Sequence, residues 1–439
     1  MSTFSNDFSY IALWWLILLF VGVAFFPMGR SLFRKFSDSG WALSKVLGLA
    51  LLTFVFFVFS SLKILPISQA SVFVVILAVF LLSILIYRKN RKEINSDIST
   101  KWLAILIGEV LFFLGLVALS YVRAHQPEIR GLEKFMDFGF INSILRGEFL
   151  PPADMWYAGS PINYYWFGHL ATALLTKLAN IPSAIIYNLM LGSILGFGLS
   201  MSFSIVSSLF EKFGKKAAIA GILSALLLTL GGNFHTPYYV LKNGYEKYWY
   251  PDATRFIGYN PETNDKTIHE FPSYSFIVSD LHAHVLDFPF VLAFLALLLS
   301  QVKFADKKRF LTPQLIALGI MAGIMFSTST WDFGIYLIVS ALAFLMSNIS
   351  ETGLGLRTLW SSAKPTLAIV LVGLISASPF ILNFDSIAQG ISLVNAKTPI
   401  WQLFILWGFP LVISVLYFLR LARSREIRRR WYPYWVELV

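Results

Sequence analysis

The sequence predicts an all-α protein that crosses a membrane many times and carries two long polar loops on one face. Hydrophobic residues make up 57% of the 439 residues and charged residues only 13%, a balance that water-soluble domains of this length do not reach. Because lipid offers the backbone no hydrogen-bond partners, apolar runs of about 20 residues predict membrane-spanning helices. About twelve or thirteen such helices are expected.

Residues 1–121 contain four apolar runs, and the basic residues beside them predict their orientation. Arg30, Arg34 and Lys35 lie between the first two runs, and the cluster YRKNRKE follows the third. Because Lys and Arg are enriched in cytoplasmic loops, both turns are predicted inside the cell and the amino terminus outside. The four runs are 10–26, 42–62, 70–87 and 102–121.

A polar first loop follows on the predicted outer side, and the apolar runs after it raise a question of orientation. If the run 183–210 is one helix, the Lys-rich cluster behind it lies outside, against the charge rule. Gly192, Gly196 and Gly198 predict a break there, because glycine lets a helix turn where protein surrounds it. With that break, the segments are a first outer loop, 122–163, membrane helices in 164–231, a second outer loop, 232–283, membrane helices in 284–420, and a cytoplasmic tail, 421–439.

Charge and composition exclude several classes of protein. The net charge is +11, but the basic clusters lie beside apolar runs, which predicts contact with anionic lipid heads and not with nucleic acid. The chain has no cysteine, so disulfides, thiolate metal sites and a cysteine nucleophile are excluded. It also has no Walker A loop, dinucleotide fingerprint, GxSxG or HExxH motif, which removes support for nucleotide-driven transport and for standard hydrolases.

The histidines are confined to the two outer loops and the helix ends that border them. Histidine suits proton transfer and metal ligation near neutral pH, so this distribution predicts that the outer face carries the chemistry. The alternative is that polar residues simply avoid lipid. The six are His125, His169, His235, His269, His282 and His284.

The first loop contains GLEKFMDFGFINSILRG, whose apolar residues recur at helical spacing. This pattern predicts an amphipathic helix lying on the membrane surface. Glu133 and Asp137 are four residues apart and therefore project from one side of that helix. Two neighbouring carboxylates raise the pKa of one of them or share a proton, which suits a general base. The alternative is a solvated face balanced by Lys134.

Aromatic and proline-rich sequence, LPPADMWYAGSPINYYWFGH, ends the first loop. Its aromatic residues fit a belt at the membrane interface. They also fit a carbohydrate platform, because aromatic rings stack on sugars while polar side chains bond the hydroxyl groups. Composition does not separate the two interpretations. The candidate substrate-binding residues here are Asp154, Trp156, Tyr157, Asn163, Tyr164, Tyr165, Trp166 and His169.

The second loop ends in HEFPSYSFIVSDLHAHVLDFP, where Glu270, Asp280, His282 and His284 precede a helix and are also candidate substrate-binding residues. Asp280, His282 and His284 face one way in an extended segment, whereas Asp280 meets His284 in a helix. Either arrangement suits a divalent cation, although the spacing matches no dedicated zinc pattern. No other cofactor is indicated. The cations suited to binding a phosphate, unless they are simply solvated, are Arg123, Arg130, Arg255 and Lys266, with Arg255 the first choice.

Taken in order, these loop motifs resemble the YYY membrane proteins of archaea and Chloroflexi-type bacteria, a family of unknown function. The resemblance covers 132–399 and includes TLGGNF, STWDF and SPFILNFDSIAQG. Three positions depart from the family pattern. Trp166 replaces the third tyrosine, Ala283 replaces a proline between the paired histidines, and Ser329 replaces an asparagine before the Trp-Asp pair. The family is distantly similar to the GT-C integral-membrane glycosyltransferases.

The resemblance implies an enzyme that transfers a sugar on the extracytoplasmic face. In GT-C enzymes an acidic residue of the first outer loop deprotonates the acceptor, and basic groups hold the phosphate of a polyprenyl-phosphate sugar. This implies Asp137 as the general base, with Glu133 second, and adds Trp331 and Asp332 to the substrate-binding candidates. The implied partners are membrane lipid, the polyprenyl-phosphate sugar donor and an acceptor that the sequence does not identify.

Two other functions remain open at this stage. A membrane transporter or lipid flippase fits the number of helices. However, transporters place ionisable residues near the bilayer midplane, whereas Glu109, Asp287 and Asp332 lie at the edges of their apolar runs. A membrane assembly subunit without catalytic activity is the third candidate.

Overall fold

The computed structural model describes residues 2–264, 266–305, 312–386, 393 and 396–423. In these ranges the regular structure is helical, and no β-strand occurs beyond two isolated bridges. The fold class expected from the sequence, an all-α polytopic membrane protein, is therefore confirmed. The helices are α1 (Ser2–Phe33), α2 (Trp41–Ser61), α3 (Gln69–Lys89), α4 (Arg91–Ala124), α5 (Lys134–Arg146), α6 (Phe167–Ala179), α7 (Ser183–Leu209), α8 (Lys215–Leu230), α9 (His235–Asn243), α10 (Pro272–Val278), α11 (Ala283–Phe304), α12 (Pro313–Thr328), α13 (Thr330–Thr352), α14 (Leu356–Ser376), α15 (Ser378–Ile381) and α16 (Ile400–Arg423).

The chain divides into two compact units. Unit 1 holds most of the membrane helices and the whole of the first loop, whereas unit 2 holds most of the second loop together with α16. Their bounds are Met1–Thr229 with Val278–Ile387 for unit 1, and Leu230–Ile277 with Ala388–Val439 for unit 2.

Unit 2 is held together by polar contacts between the second loop and α16. The backbone N–H of Phe234 donates to the carbonyl of Ile405 at 2.9 Å. Gln402 Nε2 donates to the carbonyls of Phe256 at 3.1 Å and Asn260 at 2.6 Å. These bonds fix the loop to one helix, so the loop is not a free connector. The predicted cytoplasmic tail lies outside the described residues from 424 onward.

Nine of the described helices are long and apolar enough to cross a membrane, namely α1 to α4, α7, α11, α13, α14 and α16. The sequence predicts more because it also counts the apolar runs that form α6, α8 and α12. These helices have 13, 16 and 16 residues. Each of the three is shorter than the hydrocarbon core, which is about 30 Å thick. However, α8 and α9 together are long and apolar enough to form one membrane span that is bent by 61°.

The predicted break in the seventh helix is wrong, because α7 runs without interruption over 27 residues. Its glycines serve close packing instead. A Cβ atom on Gly192 would lie 2.7 Å from Ser120 Oγ, and one on Gly196 would lie 2.5 Å from the carbonyl oxygen of Phe112. Both neighbours belong to α4, so the two helices approach at a distance that only glycine permits. Gly198 is likewise buried within the continuous helix.

The short helix α6 resolves the question of orientation that the break was meant to answer. At its start, His169 Nε2 lies 3.0 Å from Asp137 Oδ1 of α5. Just after its end, Ser183 Oγ donates to Asn142 Oδ1 of the same helix at 3.0 Å. Asp137 and Asn142 are about 7.5 Å apart along α5. The chain therefore enters and leaves α6 at the same end of unit 1, and α7 alone makes the crossing.

Two acidic residues inside the helix bundle have opposite surroundings. Glu109 accepts hydrogen bonds from Trp15 Nε1 and Trp41 Nε1, each at 2.9 Å, and forms an ion pair with Lys45. Asp287 of α11 is fully buried, and no N–H or hydroxyl group of a described residue donates to its carboxylate oxygens; its polar neighbour is the carboxyl group of Asp332. Satisfied buried charges are typical of structural contacts, whereas an unsatisfied one needs another explanation.

Candidate functional site

The predicted amphipathic helix exists as α5, and it brings its acidic face toward the interior of unit 1. Phe140, Ile141 and Ile144 are buried against the bundle. Asp137 is also fully buried, whereas the Glu133 side chain at the N-terminal end of α5 is 58% exposed. The two carboxylates therefore differ in access to solvent, although they are one helical turn apart.

The centre of the candidate site is a contact between the two loops. Asp137 Oδ1 lies 3.0 Å from Nε2 of the buried His169 and 3.7 Å from His282 Nδ1. His282 Nδ1 also lies 2.8 Å from Glu133 Oε2, although without the angle of a hydrogen bond. On its other side, His282 Nε2 lies 2.8 Å from the hydroxyl of Tyr164. His282 thus joins both acidic residues of the first loop to a tyrosine.

Asp280 completes the group from the second loop. Its Oδ2 accepts a long hydrogen bond from the backbone N–H of Glu133, and its Oδ1 accepts one from the hydroxyl of Tyr187, each at 3.4 Å. Asp137 Oδ2 receives no hydrogen bond from an N–H or hydroxyl group. A proton on Asp280 would provide that bond, because the two carboxyl groups interact directly.

The two aspartates have opposite pKa shifts. Burial, followed by the hydrogen bond and charge of Asp137, raises the pKa of Asp280 to about 7. Burial alone would raise the pKa of Asp137 as well, but the hydrogen bond from His169 and the nearby imidazole of His282 outweigh burial and lower that pKa below its ordinary value. The pair therefore combines a permanent carboxylate with a carboxyl group that exchanges a proton near neutral pH, as in other paired-carboxyl sites.

The surroundings of His282 favour the charged form of its imidazole. Burial alone would lower the pKa of His282, but the neighbouring carboxylate of Asp137 and the charge of Glu133 outweigh burial and raise it. Next to it, burial and the charge of Asp137 raise the pKa of the Tyr164 hydroxyl, which keeps that hydroxyl neutral. A protonated His282 therefore lies between two carboxylates and a neutral phenol.

Sequence reasoning missed two residues of this site. Tyr187 is fully buried in α7, where its hydroxyl accepts the backbone N–H of Leu281 at 2.9 Å and donates to Asp280. Tyr187 was not recognised because it lies within an apolar run. The sequence feature that could have indicated it is that it carries the one phenol in that run. Lys134 was considered only as a counter-charge on a solvated face, but its side chain is buried. Burial, followed by the positive charge of Arg123, lowers the pKa of Lys134.

The aromatic residues of the first loop divide into buried and exposed groups. The rings of Tyr164 and Tyr165 have centroids 5.0 Å apart, and Tyr165 continues onto Phe384 at 5.7 Å. Trp166, which replaces the third tyrosine, is buried and packs within the bundle. Trp156 is 68% exposed. In the segment LPPADMWYAGSPINYYWFGH, the first two tyrosines and the exposed pair, Trp156 and Tyr157, offer a surface to a ligand.

Two polar candidates of this loop are occupied by structural contacts. Asp154 Oδ1 accepts the backbone N–H groups of Trp156 and Tyr157 at 2.7 and 2.9 Å, which closes a turn. Asn163 exchanges two hydrogen bonds with the backbone of Asp385, at 3.0 and 2.9 Å. These contacts shape the loop and leave less bonding capacity for a sugar.

Two of the cations predicted to bind phosphate have hydrogen-bond partners within their own units, and Arg123 also lies close enough to Lys134 and Tyr187 for its charge to act on them. Arg123 of α4 is buried, and it donates to Asn188 Oδ1 at 2.8 Å and to the carbonyl of Glu128 at 3.2 Å. Arg255 belongs to unit 2, where its Nη1 donates to the Tyr274 hydroxyl at 2.6 Å. Phosphate binding by these arginines stays a prediction.

The other candidates of unit 2 have local partners. Lys266 Nζ lies 2.9 Å from Glu262 Oε1 on the surface, and Glu270 Oε2 accepts a hydrogen bond from Ser275 at 3.0 Å. In unit 1, Trp331 of α13 is 74% exposed, and the carboxyl group of Asp332 is a direct neighbour of Asp287. Roles for these residues in substrate binding also stay predictions.

Five of the six histidines fall into two groups, and His125 packs against Tyr121 instead. His169 and His282 lie in the central cluster, and the ring of His284 has its centroid 5.4 Å from that of His282. In unit 2, His235 and His269 both pack on Phe256, with centroids 5.0 and 4.4 Å from its ring. Burial lowers the pKa of both, which favours their neutral forms.

The geometry does not favour the cation site considered for Asp280, His282 and His284. In the ranges that the structure describes, no three His, Cys, Asp or Glu side chains are arranged to hold a metal ion. Asp280 is instead directed toward Asp137 and Tyr187. The cluster is therefore better suited to moving protons than to binding a metal.

Comparison with known proteins shows the family of the chain. A family model described as "Uncharacterized membrane protein (DUF2298)" matches residues 51–439, so the chain belongs to this family. The match confirms that it is a membrane protein, while the GT-C similarity, the taxonomic range and the orientation of the termini stay predictions. No curated protein and no solved structure matches the chain.

Proposed function

We propose that the protein is a GT-C-like membrane glycosyltransferase that moves a sugar from a polyprenyl-phosphate-linked donor to an acceptor on the extracytoplasmic face. The observation that carries this proposal is the convergence of Glu133, Asp137, Asp280 and His282 from two separate loops. Groups with opposed pKa shifts that meet in one place are typical of catalytic sites. The motifs resemble a family that is distantly similar to the GT-C enzymes, and this distant similarity suggests the class of reaction.

Access to solvent assigns different roles to the two acids of the first loop. The Glu133 side chain is 58% exposed and Asp137 is fully buried. An acceptor hydroxyl can reach Glu133 without any rearrangement, so Glu133 is the proposed catalytic base. Asp137 is the proposed positioning residue, because it holds His169 and His282 in place. This reverses the order that the resemblance implies.

The proposed reaction is a direct displacement at the anomeric carbon. Glu133 takes the proton of the acceptor hydroxyl, and the acceptor oxygen forms a bond to the anomeric carbon. The bond from that carbon to the phosphate oxygen breaks, and the lipid phosphate leaves with the electron pair. Protonated His282 supplies the positive charge beside the departing phosphate. No nucleotide takes part in these steps.

The test of this function is transfer of labelled sugar in proteoliposomes. Glu133→Gln removes the base with little change of shape, and we expect transfer from a polyprenyl-phosphate hexose to fall by about 10²–10⁴-fold. Glu148→Gln is the matched control, since Glu148 is an exposed acid of the same loop outside the cluster. Equal transfer by the wild type and Glu133→Gln would exclude Glu133 as the base.

A second candidate function, lipid flipping or transport, is favoured by one observation. Asp287 is a fully buried carboxyl in a membrane-spanning helix, and its charged neighbour is a second acid, Asp332. Acidic residues at such positions are typical of proton pathways. Lipid flipping by proteoliposomes that Asp287→Asn abolishes and Glu133→Gln leaves intact would favour a transporter.

A membrane assembly subunit without catalysis is the remaining alternative. In that case the central cluster would have a purely structural role. Growth of cells in which Asp137, Asp280 and His284 are each replaced by alanine, with normal protein levels and normal glycans, would favour it over both other functions.

A further inference from the structure

An apolar cleft lies between membrane helices of unit 1, away from the candidate site. It has a volume of about 300 Å³ and is lined by side chains of α1, α2, α3, α11 and α12. Phe54, Ile86 and Met321 are among these side chains, and no charged residue lines the cleft. Its volume is within the range of small-molecule sites, and its apolar walls select an apolar ligand or part of one.

A polar pocket of about 270 Å³ adjoins one end of this cleft. Ser31 and Leu32 line both, so the two spaces lie next to each other. Arg34 and Lys35 are the charged residues among the described residues that line the polar pocket. Neither of them forms an ion pair with a carboxylate of a described residue. The described lining of the pocket is therefore positively charged.

The polar pocket lies at the opposite end of the bundle from the candidate site. Helix α11 connects the two places: His282 precedes its first residue, and Ser300 and Phe304 at its other end line the polar pocket. That length of helix is about 30 Å, the thickness of a hydrocarbon core. The cleft thus extends into the membrane from the polar pocket, in the direction that a lipid chain takes from its headgroup.

We infer that the cleft and the polar pocket together bind one anionic glycerophospholipid, with an acyl chain in the cleft and the phosphate beside Arg34 and Lys35. Charge complementarity identifies this occupant. Basic residues at a membrane surface attract anionic headgroups, and the apolar cleft accepts only the chain. In the described lining of the pocket, no acid would receive the ammonium group of a zwitterionic lipid. The site is independent of the proposed glycosyl transfer.

Native mass spectrometry of the full-length protein in detergent tests the headgroup. Delipidated protein is mixed with phosphatidylglycerol or phosphatidylcholine of the same acyl chains. We expect one molecule of phosphatidylglycerol to bind at least about tenfold more tightly than phosphatidylcholine, and Arg34→Gln/Lys35→Gln to remove that preference. Arg88→Gln/Lys89→Gln is the matched control, because these neighbouring exposed cations do not line the pocket.

Filling the cleft tests the acyl chain. Ala317 lines the cleft, whereas its neighbour Ile316 is 44% exposed on the same helix and does not. Ala317→Trp is expected to reduce phosphatidylglycerol binding by about tenfold while Ile316→Trp leaves it unchanged. Thermal unfolding of both variants in lipid-free detergent confirms that they fold.

Four results would overturn the inference. Equal binding of the two lipids would show that the site does not select an anionic headgroup. Equal behaviour of the Arg34/Lys35 and Arg88/Lys89 double variants would show the same. If inorganic phosphate alone stabilised the protein and Ala317→Trp had no effect, the polar pocket would be a site for a free anion and not for a lipid. Tighter binding of a polyprenyl phosphate than of phosphatidylglycerol would replace the proposed occupant.

Discussion

At the scale of single residues, the pair formed by Asp137 and His169 is the most deeply buried polar contact of the candidate site. Both side chains are inaccessible to solvent, and the Asp137 Oδ1 to His169 Nε2 distance is 3.0 Å. When a buried polar group loses its hydrogen-bond partner, the free-energy cost of removing that group from water is no longer offset. The contact therefore matters both for stability and for the position of the groups around it.

A double-mutant cycle measures this contact. Asp137→Leu and His169→Leu are each expected to lower the free energy of unfolding by about 1–3 kcal/mol, because each leaves one buried polar group without its partner. The double variant is expected to cost less than the sum of the two, since it leaves neither group behind. Reversible unfolding in mixed detergent supplies the values. Strict additivity would show that the two side chains do not interact.

The raised pKa of Asp280 leads to a prediction about pH. That pKa rises from 3.8 to about 7 on folding, so the protonated group stabilises the fold at low pH, and this stabilisation is lost as the pH rises through that interval. His282, whose pKa is also raised, acts in the same direction. We expect the melting temperature of the wild type to fall, relative to that of Asp280→Asn, as the pH rises from about 5 to about 8. His235 and His269, whose pKa values are lowered, act in the opposite direction in both proteins.

The control for the pH experiment is Glu148→Gln, which changes an exposed acid outside the cluster. Its melting temperature should follow that of the wild type across the same range of pH. If Asp280→Asn also followed the wild type, Asp280 would not be the group that gains a proton on folding.

The central residues show which part of a site a sequence can reveal. Glu133 and Asp137 could be predicted as a pair because helical spacing places them on one side of a helix. Their contact with Asp280 and His282 could not be predicted, because more than 140 residues separate them and no local pattern encodes the contact. Tyr187 could not be recognised either, since its neighbours in α7 are apolar and its role depends on a loop that packs on it.

At the scale of helices, glycine has two meanings that composition alone does not separate. Three glycines near the middle of an apolar run are compatible with a break and equally compatible with close helix packing. In α7 the glycines serve close helix packing, because the backbone of α4 lies where their side chains would otherwise project. The shortness of α6 could not be predicted either, because an apolar re-entrant helix has the same composition as a helix that spans the membrane.

A pair of glycine variants tests the packing of α7. Gly196→Ala would place a Cβ atom 2.5 Å from the Phe112 carbonyl oxygen, and we expect it to lower the free energy of unfolding by about 1–3 kcal/mol. Gly334→Ala in α13 is the control, because a Cβ atom there meets nothing within 4 Å. It should be neutral or stabilise the helix slightly. Equal effects would mean that α4 and α7 do not rely on glycine contacts.

At the scale of the whole molecule, the path of α6 determines which loops share a face. Since α6 begins and ends beside α5, the single crossing of α7 places the cluster around Lys212 at the end of unit 1 away from the candidate site. The charge rule then predicts this cluster and the basic turn after α3 to be cytoplasmic, with the first loop outside. The same conclusion was expected from the sequence, but through a break that the structure does not contain.

Cysteine labelling tests this orientation directly, because the natural chain has no cysteine. We expect Glu128→Cys and Tyr245→Cys, one in each long loop, to react with a membrane-impermeant maleimide in intact cells. Lys212→Cys and Arg91→Cys should react only after permeabilisation, since basic clusters remain in the cytoplasm. Labelling of Lys212→Cys from outside, together with protection of Tyr245→Cys, would mean that α6 crosses the membrane. The second loop would then lie on the other side from Glu133, and the proposed site could not form in the membrane.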